Sequence, residues 1–419
     1  MSESTPTTAD LVSRYSQSFN DDLLAQHGVS SALGLWLLLA LLAPGTAGEA
    51  RTALEEALGT NAEEAARRAG ELLDNPHPAL AAAVALWARP EMLSDNFDKF
   101  SSGLPPVVTQ GPIPHQEEAD AWANENTLGL IQKFPLRLDP LIAVVLASAL
   151  ATKGEWSQPF DTAASSDLGG DFGQQVTEAL RSTPAHQVFI VRTEPAGLVG
   201  VHSAHTTDGL QVISVIGVDT ATPAQLHSAA SEVAQLLQGD NASAQRVSLF
   251  DLPLGDGAAW SIEEREYEGV GPSKLESLTA VLATWEIESK HDLAACPGVP
   301  ESFTVLSDWL RAEQRPGEFG AKQVVLARYT KLGFEAAAIT AMFASGFNMP
   351  GTNHITERTA TVRFNRPYAV LALADITSPD PSAPWNEEVI APQAWRGVPA
   401  FAAWVGHVNE DSASTTELP

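Results

Sequence analysis

The spacing of apolar residues changes period along this chain, and that change constrains the fold more than any other feature. Polar residues up to about Thr8 give way to helical patterns from Ala9 to Gln26, followed by an apolar run after Ser30 and Ser31. Glu49–Leu58 and Ala62–Leu73 then carry helix formers at surface-helix spacing, with Gly59 and Asn61 as stop and start signals. Glu117–Phe134 fits one more amphipathic helix, turning near Asn126–Gly129. Leu141–Leu150 is too uniformly apolar for an edge strand and reads as a central strand covered on both faces. Beyond it, Gln187–Arg192, Gln211–Val218, Arg246–Leu252, Thr284–Glu288, Gln323–Tyr329 and Thr359–Phe364 read as strands. Helices first and strands later argue for an α+β fold over a regularly alternating, doubly wound sheet. Pro379–Gly397 reads as an irregular surface loop and the stretch from Glu410 as a loose tail.

With 419 residues, 44% of them hydrophobic, the chain can bury a large core, and no linker divides it. One domain over residues 9–410, with 411–419 as tail, is the expectation. Acidic residues outnumber basic ones by 52 to 24, a net charge of −28 that repels nucleic-acid phosphates and anionic lipid. Neither nucleic acid nor membrane is an expected partner. Leu35–Ala43, the longest apolar run, is far short of the roughly 20 residues that span a bilayer. The polar start MSESTPTTAD lacks the basic and apolar regions of a secretory signal, so a cytoplasmic location is expected.

The single cysteine, Cys296, forms no intramolecular disulfide, and its neighbours Ala295 and Pro297 supply no activating base. It reads as structural. His202 and His205 have a spacing that suits a metal on a helix, but they lie between strand patterns without a carboxylate cluster. GVGPSK, Gly269–Lys274, lacks the full glycine spacing of a phosphate loop and reads as a turn. With no G-x-S-x-G elbow, HExxH or paired-cysteine motif in sight, the expectation is a protein that is not an enzyme and needs neither metal nor cofactor.

Four separated segments, in order, carry a resemblance to the serpin family of serine protease inhibitors. Ser30–Gly59 is similar to the family's helix B entry, with Gly45, Gly48, Thr52 and Leu58 at matching positions. EADAWANENTLGLI and ATKGEWSQPF then place Trp122, Asn126, Thr127, Gly129, Lys153, Gly154, Trp156, Pro159 and Phe160 on the family pattern. LGFEAAAITA (Leu332–Ala341) resembles the serpin hinge, and RFNRPYAVLAL (Arg363–Leu373) with VPAFAAWVGHVNE (Val398–Glu410) resembles the closing strands.

The resemblance implies a serpin fold with large mixed sheets and an exposed reactive-centre loop, and inhibition by a conformational route. A protease, serine-type or alternatively cysteine-type, cuts the loop, which then inserts as a new strand of sheet A. The hinge falls on Gly333, Phe334, Glu335, Ala336, Ala337, Ala338 and Thr340. Small side chains suit a segment that slides between packed strands, and Gly333 supplies backbone freedom. Counting on places the scissile bond at Phe347–Asn348, which implies chymotrypsin-like targets. The loop is several residues longer than usual, leaving Met342, Phe343, Met349 or Arg358 as alternatives, Arg358 implying trypsin-like targets.

The sheet-opening residues implied are Trp156 at the breach and Ser31, Ser148 and Gln323 at the shutter, where Gly34, Ser148 and Gln323 replace the common Ser, Asn and His. Phe334 stands where inhibitory members carry Thr or Ser, and overpacking there costs ~1–3 kcal/mol on insertion. Lys331 and Leu332 likewise replace acidic or polar residues. The alternative is a non-inhibitory binding or scaffold protein on the same fold, cleaved without trapping its protease. Either way a monomer is expected, and the family resemblance also admits an extracellular location.

Overall fold

A computed structural model describes residues 6–239, 243–257, 259–311, 320–334, 353–379 and 387–408. Helix α1 (Thr8–Leu23) starts on a reciprocal cap: Thr7 Oγ1 accepts from the Asp10 backbone N–H at 3.1 Å, and the Thr7 N–H donates to Asp10 Oδ2 at 2.7 Å. Helix α2 (Ala32–Leu42), apolar all round, is buried on nearly every side, as such a helix must be. Helix α3 (Gly48–Leu58) stops at Gly59, whose φ of +71° only glycine adopts freely. Asn61 Oδ1 then caps α4 (Ala62–Asp74) by accepting the Glu64 N–H at 2.9 Å. Helices α5 (Asp95–Ser102) and α6 (Gln116–Asn126) complete the helical first third, α6 ending where the expected turn begins.

The largest sheet has seven strands in the order β1 (Gly28–Ser30), β22 (Val398–Val405), β19 (Tyr368–Ala374), β10 (Leu210–Ile216), β9 (Gly197–His205), β8 (Gln187–Thr193) and β11 (Gln245–Arg246). Every residue of β10, β19 and β22 is buried, because helices cover both faces. On one face α9 (Pro223–Leu237) packs Leu226, Ala230 and Val233 against Val201, Ile213 and Val215. On the other lies the main core around α1 and α2.

A six-stranded sheet runs β12 (Gly255–Asp256), β13 (Trp260–Gly269), β18 (Asn353–Arg363), β14 (Lys274–Leu282), β7 (Glu178–Arg181) and β6 (Asp161–Ala164). The short helices α7 (Ser165–Leu168) and α8 (Gly170–Gly173) follow β6. The remaining strands form β3 (Thr109–Pro112), β2 (Ala81–Ala88) and β4 (Val144–Ala151) in one group. A second group pairs β15 (Trp285–Asp292) with β16 (Lys322–Tyr329) on either side of α10 (Val299–Trp309) in the sequence. Two further pairs join β5 (Gly154–Glu155) to β17 (Gly333–Phe334) and β20 (Thr377–Pro379) to β21 (Glu387–Val389).

Three expectations need correction. The apolar run at 141–150 does form β4, covered on one side by Ala119 and Ala123 of α6 and on the other by the main core. It is not central: it pairs only with β2 among the described residues and ends its sheet. Arg246–Leu252 is strand only at Gln245–Arg246; Leu249–Asp251 forms a 3-10 turn capped by Ser248, whose hydroxyl accepts the Phe250 N–H. Pro379–Gly397 is not simply a surface loop: it carries β21 and a 3-10 turn whose Trp395 is fully buried. The tail from 409 onward lies outside the described residues.

Candidate functional site: a divided sheet with its hinge and floor

The edges of β4 and β16 face one another across a cavity of about 170 Å³ lined by both strands, with Leu35 and Leu38 of α2 beneath. Among the described residues no hydrogen-bonded ladder joins them, so each presents backbone groups to a further strand. Burial along β4 alternates, Val145, Ala147 and Ala149 inside and Val144, Leu146 and Ser148 half-buried, so the two faces of the gap differ in depth.

At the floor the structure brings together the three residues assigned to the shutter. Gln323 of β16 holds the start of α2 from both sides: Ser31 N–H donates to its Oε1 at 3.1 Å, and its Nε2 donates to Ser31 O at 2.8 Å. Ser31 Oγ donates to Ala400 O of β22 at 2.8 Å. A methyl group on Gly34 would stand 3.1 Å from Ser148 Oγ and 3.8 Å from Gln323 Nε2, so glycine lets β4 and β16 both sit close over α2.

At the opposite end Trp156 is buried, and its Nε1 donates to Thr330 O at 3.0 Å. Its backbone N–H donates to Leu332 O at 3.1 Å, and Phe160 N–H donates to Lys331 O at 3.0 Å. Gly333 pairs with Glu155 and Phe334 with Gly154, so the first two residues assigned from sequence to the hinge lie in a two-residue ladder. Lys331 Nζ donates to Thr162 Oγ1 of β6 at 2.6 Å, tying the hinge to the six-stranded sheet. Gly154 is required sterically: a Cβ there would lie 2.7 Å from Thr206 Cγ2 and 3.0 Å from Asp208 Oδ1. Gly154→Ala is expected to cost ~1–3 kcal/mol by overpacking, read as a lower urea midpoint together with faster amide exchange at Gly333.

Beneath Trp156 and Phe160 runs a buried chain of polar groups. His186 Nε2 meets Gln158 O at 2.7 Å, its Nδ1 meets His202 Nε2 at 3.1 Å, and His202 Nδ1 faces the Tyr329 hydroxyl at 3.4 Å. Burial, with the neighbouring imidazole adding to it at His202, pushes both histidines below their ordinary pKa, and burial raises that of Tyr329. Sequence reading missed this chain because His186 and His202 meet only through the pairing of β8 with β9. His202 and His205 lie three apart on a strand and so point to opposite faces; His205 stands 3.7 Å from Asp375 instead. No group of three or more metal-ligating side chains occurs among the described residues. Cys296 is buried, which pushes its thiol up to about 11, consistent with an inert thiol.

Glu335, Ala336, Ala337, Ala338, Thr340, Met342, Phe343, Phe347, Asn348 and Met349 lie outside the described residues. Arg358, the alternative cleavage position, stands in the middle of β18, opposite Glu264 of β13 and Glu276 of β14. Its Nε bonds Glu264 Oε2 at 2.7 Å and its Nη1 donates to Leu249 O and Leu252 O at 2.7 and 3.0 Å. In this conformation Arg358 is a strand residue with its guanidinium engaged, not part of an exposed loop.

The described strands thus form a seven-stranded buried sheet, a six-stranded sheet, and two smaller groups, β3–β2–β4 and β15–β16, that both line one cavity. The family model described as serpin (serine protease inhibitor) matches residues 7–169. Solved structures agree over nearly the whole chain. Human glycosylated kallistatin superposes with a TM-score of 0.61 at 14% identity, covering 97% of this chain and 98% of its own. Human thyroxine-binding globulin complexed with thyroxine gives 0.60 at 13%, covering 96% and 98%. Serpin48 of the insect Tenebrio molitor gives 0.59 at 16%, with the same coverage. No curated protein sequence matches the chain. The fold is the serpin fold, and the serpin family model matches the first part of the chain. No helix among the described residues is long and apolar enough to cross a membrane.

Proposed function

We propose that this protein inhibits serine-type endopeptidases, chymotrypsin-like ones first, by cleavage of residues 335–352 and insertion of the freed segment between β4 and β16. The observation that carries the reading is the pair of facing strand edges, unjoined among the described residues, with Gly333 already hydrogen-bonded at their upper end. A protease serine attacking the Phe347 carbonyl forms an acyl ester and releases the Asn348 amine. The segment from Gly333 to Phe347 is then free to join the sheet, carrying the ester-linked enzyme with it. Each inserted residue adds backbone hydrogen bonds on both sides and fills the cavity over α2, so the inserted state lies lower in free energy.

The reading gives the chain no catalytic part in the cleavage. The shutter residues Ser31, Ser148 and Gln323 and the breach residue Trp156 act by holding the two halves of the sheet in an opening that a strand can enter. Incubation with chymotrypsin is expected to yield a covalent complex that survives denaturing electrophoresis, with the acyl bond mapped to Phe347 by mass spectrometry. Complete cleavage with no complex, and no rise in melting temperature of the cut chain, would instead establish the second reading, a non-inhibitory binding or scaffold protein. That reading draws on Phe334, whose bulk at the hinge would overpack on insertion, and on the bond from Lys331 to Thr162.

A further inference from the structure

Four elements distant in sequence meet in the buried polar chain beneath Trp156 and Phe160. Gln158 belongs to the segment between β5 and β6, His186 to the turn before β8, His202 to β9 and Tyr329 to the last position of β16. The Gln158 carbonyl can only accept, so its 2.7 Å contact puts a proton on His186 Nε2 and leaves Nδ1 as an acceptor. His202 Nε2 donates to that nitrogen at 3.1 Å, and His202 Nδ1 is left to face the Tyr329 hydroxyl at 3.4 Å. One proton on each ring thus uses all four ring nitrogens. A second proton on His186 sets two N–H groups against each other, and one on His202 Nδ1 turns the Tyr329 hydroxyl away. Phe160 flanks both rings, at 4.6 and 5.2 Å between centroids, and His202 and Tyr329 are fully buried, so an added charge is shut off from solvent. Burial is the largest influence against a proton on either ring; beyond it, Asp161 of β6 favours one on His186 and His205 opposes it, while His202 feels His186. Tyr329 has the buried Tyr368 near it, and its neighbours in β16 and beyond are engaged elsewhere, Arg328 with Glu286 and Lys331 with Thr162.

We propose that His186, His202 and Tyr329 form an acid-sensitive latch: as the pH falls the histidine pair takes up a proton, and the end of β16 with residues 330–334 comes off β9. β9 does not yield, because β8 and β10 pair with it along both sides. β16 pairs only with β15 among the described residues, and the Tyr329 contact is the longest in the chain. The residues past Tyr329 go with it, since one short segment holds them: Trp156 Nε1 donates to Thr330 O, Phe160 N–H to Lys331 O and Trp156 N–H to Leu332 O. The same segment carries the Gln158 carbonyl, so losing the bond to His186 loosens both supports. A histidine held neutral takes its proton when the latch opens. Each one therefore raises the opening constant up to ~10-fold per pH unit below its ordinary 6.5, and the pair together up to ~100-fold. The closed form is fully favoured above pH 6.5 and is lost as the pH falls below it. The latch does not rest on inhibition, for it involves residues 156–334 alone and needs no protease.

The test compares amide exchange at pH 7.0 and pH 5.0, each rate divided by the intrinsic rate at that pH, and follows the imidazole nitrogens by NMR. Protection at residues 330–334 and 156–160 is expected to fall at least ~10-fold, while β10 and β19 in the buried sheet lose less than ~3-fold. The imidazole shifts are expected to show Nε2–H tautomers on His186 and His202 at pH 7.0, and protonation of both in step with the opening. His202→Gln stays polar and cannot titrate, and is expected to cut the loss at 330–334 to less than ~3-fold. If that variant does not fold, His186→Gln is expected to leave about half the pH slope, and the wild-type shifts need no variant. The latch is overturned if residues 330–334 stay protected at pH 5.0, or if they open no more than β19 does. It is overturned equally if His186 takes a proton alone while His202 stays neutral and β16 stays in place. A missing chymotrypsin complex leaves the latch standing, and a missing acid response leaves the inhibition reading standing, so the two fail separately.

Discussion

Taking the protein from pH 7.5 to pH 4.5 is expected to remove stability, with ~2–3 kcal/mol lost through His227 alone. His227 lies on α9 with 6% of its surface exposed, and its Nε2 has no hydrogen-bond partner among the described residues. Burial pushes its pKa down to about 4 from an ordinary 6.5. The folded state therefore holds a neutral imidazole while the unfolded chain takes up a proton. The stability is fully present above pH 6.5 and is lost as the pH falls through the window from 6.5 to about 4. His77, His186 and His202 shift in the same direction through burial and add to the slope, and His27, stacked 3.6 Å from His407, is lowered to about 4 as well.

One effect opposes this. At a net charge of −28 the folded chain repels itself, and acid relieves that repulsion. Comparing urea midpoints of wild type and His227→Leu at several pH values separates the two, because the charge term is nearly common to both. The variant is expected to lose less stability between pH 6.5 and 4.5. Parallel curves would show that His227 is not held neutral by burial. Glu64, held at about 2 by its bonds to Arg67 and Arg68, contributes only at lower pH, where its protonation ends that support.

Trp395→Ala is expected to cost ~3–5 kcal/mol, measured by urea denaturation. The ring is fully buried, its Nε1 donates to Asn75 O at 2.7 Å, and it meets His77 edge-on at 5.7 Å. Truncation leaves both a cavity and an unpaired buried carbonyl. Trp395→Phe keeps most of the volume and loses only the donor, so it is expected to recover more than half of the loss. A loss below about 1 kcal/mol for Trp395→Ala would mean that the indole is not buried against Asn75 and His77 as described. Asp375, just after β19, accepts at its carbonyl from His77 Nε2 at 2.6 Å, so the imidazole under the indole is itself anchored.

The sequence showed least where distant segments meet. Trp395 was misread because proline, tryptophan and acidic residues mixed together carry no period, and burial of a lone aromatic leaves no pattern along the chain. The apolar run at 141–150 was read correctly as a covered strand, but its neighbours were not. Apolar content reports what lies above and below a strand and says nothing about which strand lies beside it. The histidine chain from Gln158 to Tyr329 depends on the register of β8 with β9 and on β16 lying over both, relations that no local spacing encodes.

What the sequence settled by itself was local. Helix boundaries at Gly59 and Asn61 follow from a left-handed glycine and a cap, which depend only on a residue and its near neighbours. The α+β class follows from the switch of apolar period. The tertiary structure alone decided that β4 and β16 stand apart with a cavity between them, and that β18 is flanked on both sides. Strand pairing joins residues a hundred or more positions apart, and backbone groups, identical at every residue, form those ladders. The side chains choose a face, and only the packed whole chooses the neighbour.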